Sequence, residues 1–292
     1  MVEESVSTAT RRVTKLLAQA GVETPERDAR LLIAAAIGGT PADLIVRPER
    51  LFAISEGAKL QAFVTRRTQR EPVSRILGER EFYGRPFAIT PATLDPRPCS
   101  ETLISAVLDI VDEGGGRDRR LRLIDVGTGS GCLAITLVSE LPNATILATD
   151  VSAEALETAE QNARANGVAD RITFAQRRTL QDVGGPFDIV ISNPPYIPAA
   201  DIVGLADEVK KFDPRGALDG GSDGLDIYRE IAAGLAAVVA PGGWAVLEVG
   251  AGQARDVEQI LRSATPQSSI AHCRTWLDLG GHTRCVAMET QL

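Results

Sequence analysis

The chain has 292 residues and a net charge of −8 from 31 basic and 39 acidic side chains. That length excludes a small disulfide-stapled scaffold, and that charge disfavours nonspecific coating of nucleic acid, because the overall field repels phosphate. Hydrophobic residues at 44% and charged residues at 24% match an ordinary globular composition and exclude wholesale disorder.

The charge is uneven. The first 90 residues carry 14 Lys and Arg against 11 Asp and Glu, the remainder 17 against 28, which fits two domains with different partners. The opening Met1-Val2-Glu3-Glu4-Ser5 is acidic where a secretion signal needs positive charge, and the longest apolar runs, such as Leu31 to Ile37, fall far short of a bilayer span. A cytoplasmic protein without membrane contact is expected.

Residues 1–75 read as a helical domain. Val13, Leu16, Leu17 and Ala20 recur at helix spacing before Gly21, a stop signal. Thr24-Pro25 starts a second helix, with Thr24 expected to accept a backbone N–H as N-cap and Leu31, Leu32, Ala35 and Ala36 as its apolar face, ended by Gly38-Gly39. A third fits Ser55 to Gln69 on Leu60, Phe63 and Val64. With no cluster of catalytic groups, this domain is expected to dock a partner. Residues 76–98 change character. Glu81 to Ile89 surrounds a Gly/Pro turn with β-prone and aromatic residues, predicting a hairpin linker, and Pro91, Pro96 and Pro98 stiffen the chain ahead of a helix near Ser100.

Residues 99–292 alternate strands and helices: strands at Leu121–Val126, Ala144–Asp150, Phe187–Ser192 and Trp244–Val249, helices at Leu133–Glu140, Ala153–Asn166, Ile227–Val239 and Gln253–Ser263. Strands this apolar predict a mostly parallel sheet covered on both faces, with final strands near Ile270–Trp276 and Arg284–Met288 forming an antiparallel hairpin. The fold class is α/β, Rossmann-like, with a small N-terminal helical domain. Cys99, Cys132, Cys273 and Cys285 form no CxxC pair, and Cys273, His282 and Cys285 read as ordinary strand or core residues, so neither a disulfide framework nor a metal site is expected.

Three features carry chemistry. The first strand runs into Asp125-Val126-Gly127-Thr128-Gly129-Ser130-Gly131 ahead of a helix, where glycines permit a sharp turn and close approach of a ligand to backbone N–H groups. The G-x-G-x-G spacing departs from the G-x-G-x-x-G of dinucleotide enzymes, and no G-K-[ST] follows. Asp150 ends the second strand. Alone it reads equally as the cap of the helix near Ser152 or as acceptor for two ribose hydroxyls; beside the glycine turn the ribose reading is favoured. The most specific feature is Asn193-Pro194-Pro195-Tyr196, at the carboxyl end of an apolar strand. Two prolines fix the backbone, so the Asn193 side-chain oxygen and the Pro194 carbonyl remain as aimed acceptors for the two hydrogens of a planar NH₂ group, with the Tyr196 ring expected to pack against it.

These motifs resemble the class I S-adenosylmethionine-dependent methyltransferases that act on amino groups. Over nearly its full length the chain is similar to the peptide chain release factor glutamine-N5 methyltransferases: Glu71-Pro72-Val73 with Gly78-Glu79 and Phe82, Pro96-Arg97-Pro98 with Glu101, Asn193 to Pro198, Ala217 to Gly221 with Asp223-Gly224-Leu225, Glu248 with Gly250 and Gln253, and Asp278-Leu279 with Gly281 and Arg284. The resemblance implies S-adenosyl-L-methionine as cofactor, held by Gly127, Thr128, Gly129, Ser130, Gly131, Asp150 and Asn193. It implies a substrate glutamine in the Gly-Gly-Gln loop of a release factor, handled by Asn193, Pro194, Pro195 and Tyr196. A monomer making no direct contact with nucleic acid is expected. Asp95 and Ser100 stand where the family often has a hydrophobic residue and a threonine, and Gln176 to Leu180 lacks the glycine, acidic and aromatic pattern expected beside adenine, leaving the contact near Arg178-Thr179 open. Methylation of a ribosomal-protein glutamine or of a base amino group, and a noncatalytic cofactor-binding module, are the competing readings.

Overall fold

The computed structural model describes residues 4–264 and 270–290. The chain divides into two units, one formed by Met1–Glu79 with Ala206–Phe212, the other by Arg80–Leu205 with Asp213–Leu292.

The first unit is helical. Helix α1 (Val6–Gln19) buries Val6, Ala9, Val13 and Leu17, one stripe at three- and four-residue spacing, and Ser5 caps it by accepting the Thr8 N–H. Helix α2 (Pro25–Ala36) begins with proline at its first turn, but Thr24 does not cap it as expected: its hydroxyl donates to Asp28 Oδ1 at 3.3 Å instead. The competing acceptor is a carboxylate one turn ahead, stronger than any use of the hydroxyl as acceptor. Two short helices escape the sequence reading, α3 (Pro41–Val46), where Asp43 Oδ2 accepts the Thr40 N–H at 2.7 Å, and α5 (Val73–Leu77); between them lies α4 (Ile54–Thr68). Six and five residues carry too few turns for a periodic signal.

An ion pair organises this unit. Arg67 and Asp28 are both buried and meet at 2.7 Å. Glu208, from the late segment Ala206–Phe212, accepts from Arg67 at 3.2 Å and from Arg70 at 2.8 Å. The helical unit therefore recruits seven residues from far along the chain, and nothing local in the sequence signals it.

The second unit opens with a hairpin, β1 (Glu79–Phe82) and β2 (Arg85–Ala88), turned at Tyr83 and Gly84, both at positive φ. Phe82 and Phe87 meet edge to face at 6.2 Å in the core. Then follow α6 (Glu101–Glu113), β3 (Arg122–Val126), α7 (Cys132–Glu140), β4 (Thr145–Asp150), α8 (Ala153–Ala165), β5 (Ile172–Gln176), β6 (Phe187–Ser192), α9 (Asp207–Phe212, the recruited segment), α10 (Asp226–Val238), β7 (Val239–Glu248), α11 (Ala254–Ala264), β8 (Ile270–Leu277) and β9 (Thr283–Thr290). The sheet order is β5-β4-β3-β6-β7-β9-β8, parallel from β5 through β7, with β9 antiparallel to both neighbours. The Rossmann-like α/β class and the antiparallel carboxyl-terminal pair are as expected; β5 is an addition, a half-exposed edge strand whose ITFAQ sequence lacks a clear apolar run.

Alternation along the strands builds two cores. Leu123, Ile189, Ile191 and Val246 face α6 and α7, while Ile124, Val190, Ala245 and Leu247 face α10 and α11. Among the described residues, no helix is long and apolar enough to cross a membrane.

Replacing Arg67 with Ala leaves Asp28 buried without its partner, and we expect a loss of about 3–5 kcal/mol in urea denaturation. Glu208→Gln, whose side chain is partly exposed, should cost far less, and equal losses would show that the pair is not the organising contact.

Candidate active site

The site lies at the carboxyl ends of β3, β4 and β6, where the strand order reverses about β3, the place an open parallel sheet offers a crevice. The loop after β3 takes its shape from three glycines at positive φ, Gly127, Gly129 and Gly131. A Cβ on Gly131 would lie 3.0 Å from Ile135 and 3.1 Å from Ala159, so this position is closed to side chains sterically as well. The N–H groups of Gly127 and Thr128 donate to Thr149 O at 2.9 and 2.8 Å, and Thr128 Oγ1 donates to the fully buried Asp125 at 2.7 Å. Helix α8 adds a clamp: the buried Asn162 donates to Ser130 O at 2.9 Å and exchanges hydrogen bonds with Ala88 of β2.

Asp150 ends β4 facing this loop. Its two oxygens accept from Gly129 N and Ser152 N, each at 2.9 Å, while Ser152 itself caps α8. The aspartate thus braces the glycine loop and stands on the cavity wall, where its carboxylate can accept hydroxyl donors.

Strand β6 delivers Asn193 to Tyr196 beside that loop. Ser192 pairs with Val126 in the parallel ladder and its hydroxyl donates to Val126 O at 2.6 Å. Asn193 Nδ2 donates to Ser100 Oγ at 3.1 Å, which leaves Oδ1 as the amide's acceptor. No donor among the described residues occupies the Pro194 carbonyl. The following turn is held from outside: Ile197 bridges Asp219, and Gln253 donates to Tyr196 O at 3.0 Å. Gly224, at positive φ, passes so close that a Cβ there would lie 2.4 Å from Tyr196 O. Tyr196 is not part of the cavity wall. Its hydroxyl reaches Glu248 Oε1 at 3.5 Å, and burial keeps the phenol protonated by pushing its pKa up. The expected stacking platform is therefore a buttress, because the ring packs with the α10 and α11 core.

A cavity of about 200 Å³ unites these groups. The loop from Gly127 to Ser130, Asp150, and Asn193 to Pro195 line it together, closed by Leu133, Val151 and Ile227. Apolar walls with a few aimed polar groups and a glycine loop that admits close backbone approach suit a nucleoside carrying a charged tail, so the residues fit S-adenosylmethionine. Near the expected adenine position, Arg178 lines the cavity and pairs with Glu230 at 2.8 Å. Sequence reasoning passed over Asn162, left the contact near Arg178 open, and noted Ser100 and Glu248 without giving them a task, since each acts through a partner distant in sequence. Cys273 and Cys285 sit on neighbouring antiparallel strands, and among the described residues no group of His, Cys, Asp or Glu is arranged to hold a metal ion.

A seven-stranded sheet with this reversal, a glycine loop after β3 and an acidic residue after β4 defines a class I methyltransferase domain. Family models for "PrmC N-terminal domain" match residues 8–78 and for "Methyltransferase small domain" residues 101–207. The release factor glutamine methyltransferase of Rhodospirillum rubrum is 45% identical over 267 residues, covering 91% of this chain and 79% of that protein. That of Cereibacter sphaeroides is 40% identical, covering 96% of each chain. The chain belongs to the release factor glutamine methyltransferases. In fold alone it is similar to the hMettl16 catalytic domain, solved in complex with MAT2A 3'UTR hairpin 6, with TM-score 0.55, 17% identity, and 82% and 84% of the two chains covered.

Burial pushes the Asp125 carboxyl up to about 7, against the lowering effect of Thr128, and the charge of Asp150 adds to the rise. A carboxyl raised on folding contributes stability below its unfolded pKa and loses it as pH rises through 7. Denaturation curves between pH 4 and 8 should show Asp125→Asn gaining on the wild type by a few kcal/mol as pH rises; a constant difference would contradict the assignment.

Proposed function

We propose that the chain transfers the methyl group of S-adenosyl-L-methionine to the side-chain N5 of the glutamine in the Gly-Gly-Gln loop of peptide chain release factors, so modulating translation termination. The observation that carries the site reading is the pair of acceptors, Asn193 Oδ1 and the Pro194 carbonyl, presented at the wall of the cavity that also holds the glycine loop and Asp150.

An amide nitrogen is a poor nucleophile, because its lone pair is delocalised into the carbonyl. Two acceptors on its two hydrogens orient it, and their partial negative charge favours the positive charge that grows on nitrogen as the new bond forms. Pro195 keeps the second acceptor fixed by denying the backbone an alternative. The bound cofactor supplies a methyl group activated by a sulfonium. No base needs to act beforehand: the nitrogen becomes acidic once alkylated and its proton leaves to water. Asp150 takes the ribose hydroxyls, Gly127 to Gly131 contribute backbone contacts, and Tyr196 anchors the end of the motif in the core beside Glu248.

The helical unit is the docking module for the release factor in this reading, in keeping with its mildly basic composition. The protein acts as a cytoplasmic monomer without nucleic acid.

Asn193→Ala should keep cofactor affinity in calorimetry and lose about 100-fold or more in methyl transfer; near-normal turnover would defeat the role of Asn193. Asp150→Ala should weaken cofactor binding, and unchanged affinity would remove the ribose assignment. Labelled S-adenosylmethionine offered with release factor, ribosomal protein and DNA should mark only the Gly-Gly-Gln glutamine by mass spectrometry; label elsewhere would overturn the substrate.

A further inference from the structure

The strand order lays the cavity out along one line. Asn193 follows β6, the glycine loop follows β3, Asp150 ends β4 and Arg178 lies just past β5, and these strands stand side by side in the order β6-β3-β4-β5. Neighbouring strands are about 5 Å apart. A nucleoside whose ribose hydroxyls meet Asp150 and whose sulfonium points to Asn193 therefore extends its base towards the end of β5. Val151, Arg178 and Ile227 of α10 make the wall there.

The backbone that carries Arg178 is tied to β4. Asp150 pairs with Gln176 in the parallel ladder, the Arg177 N–H donates to Asp150 O at 2.9 Å, and Gln176 Nε2 donates to Val151 O at 2.9 Å. The side chain is held from α10: Nε donates to Glu230 Oε2 at 2.8 Å and Nη2 to Glu230 Oε1 at 2.9 Å. This fork grips one edge of the guanidinium plane and leaves Nη1, with two protons, for a ligand.

A guanidinium has donors only, so a base edge that meets it must bring acceptors. Adenine has acceptors in its ring nitrogens, and its 6-amino group is a donor. Among the described residues, Asp150 is the only carboxylate on the cavity wall, and the ribose takes it. The oxygens of Glu230 are spent on Arg178, and the Ser152 hydroxyl donates to Glu154 and accepts from Ala155 N. No carboxylate or amide side chain is therefore placed at this end to take the hydrogens of a 6-amino group.

We propose that Arg178, aligned by Glu230, is the base-reading residue of the cofactor site, and that it selects the purine by its acceptor atoms and not by its 6-amino group. This rests on the proposed placement of the cofactor with its ribose on Asp150. The consequence is a relaxed choice at the 6-position. Hypoxanthine moves the acceptor on that edge from N1 to O6 and keeps the other ring acceptors, so the guanidinium can bind it as well. A carboxylate reader would reject it, because two acceptors would then face each other.

The test is calorimetric binding of S-adenosylhomocysteine and of its hypoxanthine counterpart, S-inosylhomocysteine, to the whole protein. The wild type should bind the two within about fivefold of each other, and a larger preference for the adenine compound overturns the proposal. Arg178→Ala should weaken both by about tenfold, the loss of one charge-assisted contact at a partly exposed site, and Glu230→Gln, which keeps the guanidinium but loosens its fork, by a smaller factor. The two side chains are 63% and 38% exposed, so neither substitution opens the core. Wild-type affinity of Arg178→Ala for both compounds, with Asp150→Ala weakened, also overturns the proposal. Wild-type affinity of Asp150→Ala for S-adenosylhomocysteine removes the cofactor placement beneath it instead.

Discussion

The pairing of Val126 with Ser192 is the contact on which the site depends. Because β3 and β6 run parallel in this register, their carboxyl ends stop at the same level, and the chain leaves one as the glycine loop and the other as Asn193-Pro194-Pro195-Tyr196. The Ser192 hydroxyl fastens the last rung to Val126 O. A slip of one residue would move every side chain of β6 to the opposite face and expel Ile189 and Ile191 from their core. Apolar packing across the sheet therefore sets where two polar loops meet, and the site inherits its precision from the strands.

Around that rung, polar groups are buried to a degree that a core would ordinarily reject. Asp125 and Glu248 are fully buried carboxyls, and each is raised towards neutrality by loss of water. Each sits behind a loop that the proposed reaction needs to be rigid: Asp125 holds Thr128 of the glycine loop, Glu248 faces the Asn193 motif. Burial of a carboxyl costs free energy, offset in part where it holds a loop in place, as Asp125 does by accepting from Thr128. Asn162 has the same effect without charge, spanning β2 and the glycine loop with a single amide.

What the sequence disclosed followed from locality. Strands β3, β6 and β7 were legible because short apolar runs at turn signals are a property of adjacent residues, and the glycine loop and Asn193-Pro194-Pro195-Tyr196 were legible because backbone constraint is encoded by glycine and proline themselves. Edge strand β5 was not, since with one neighbour and half its side chains exposed it needs no continuous apolar run. Tyr196 was assigned to the ligand from its neighbourhood to Asn193, yet its partners are Glu248, 52 residues on, and the α10 core. Ser100 lies 93 residues before Asn193. Contacts of that kind are made by the fold, so they become visible only when the strands are laid side by side.

The excursion that follows the motif shows the same logic at larger scale. It leaves after the bridge between Ile197 and Asp219, which anchors the turn to the second unit. It ends at Asp213, which is buried, accepts from Asp95 N at 3.3 Å and pairs with Arg97 at 2.5 Å. Between these anchors, Ala206–Phe212 belongs to the helical unit, where Glu208 pairs with Arg67 and Arg70. Asp95, where the family often has a hydrophobic residue, belongs to this arrangement, since it also faces Arg80 at 3.7 Å. An acidic side chain there is consistent with its surroundings, because two arginines offset the cost of burying it.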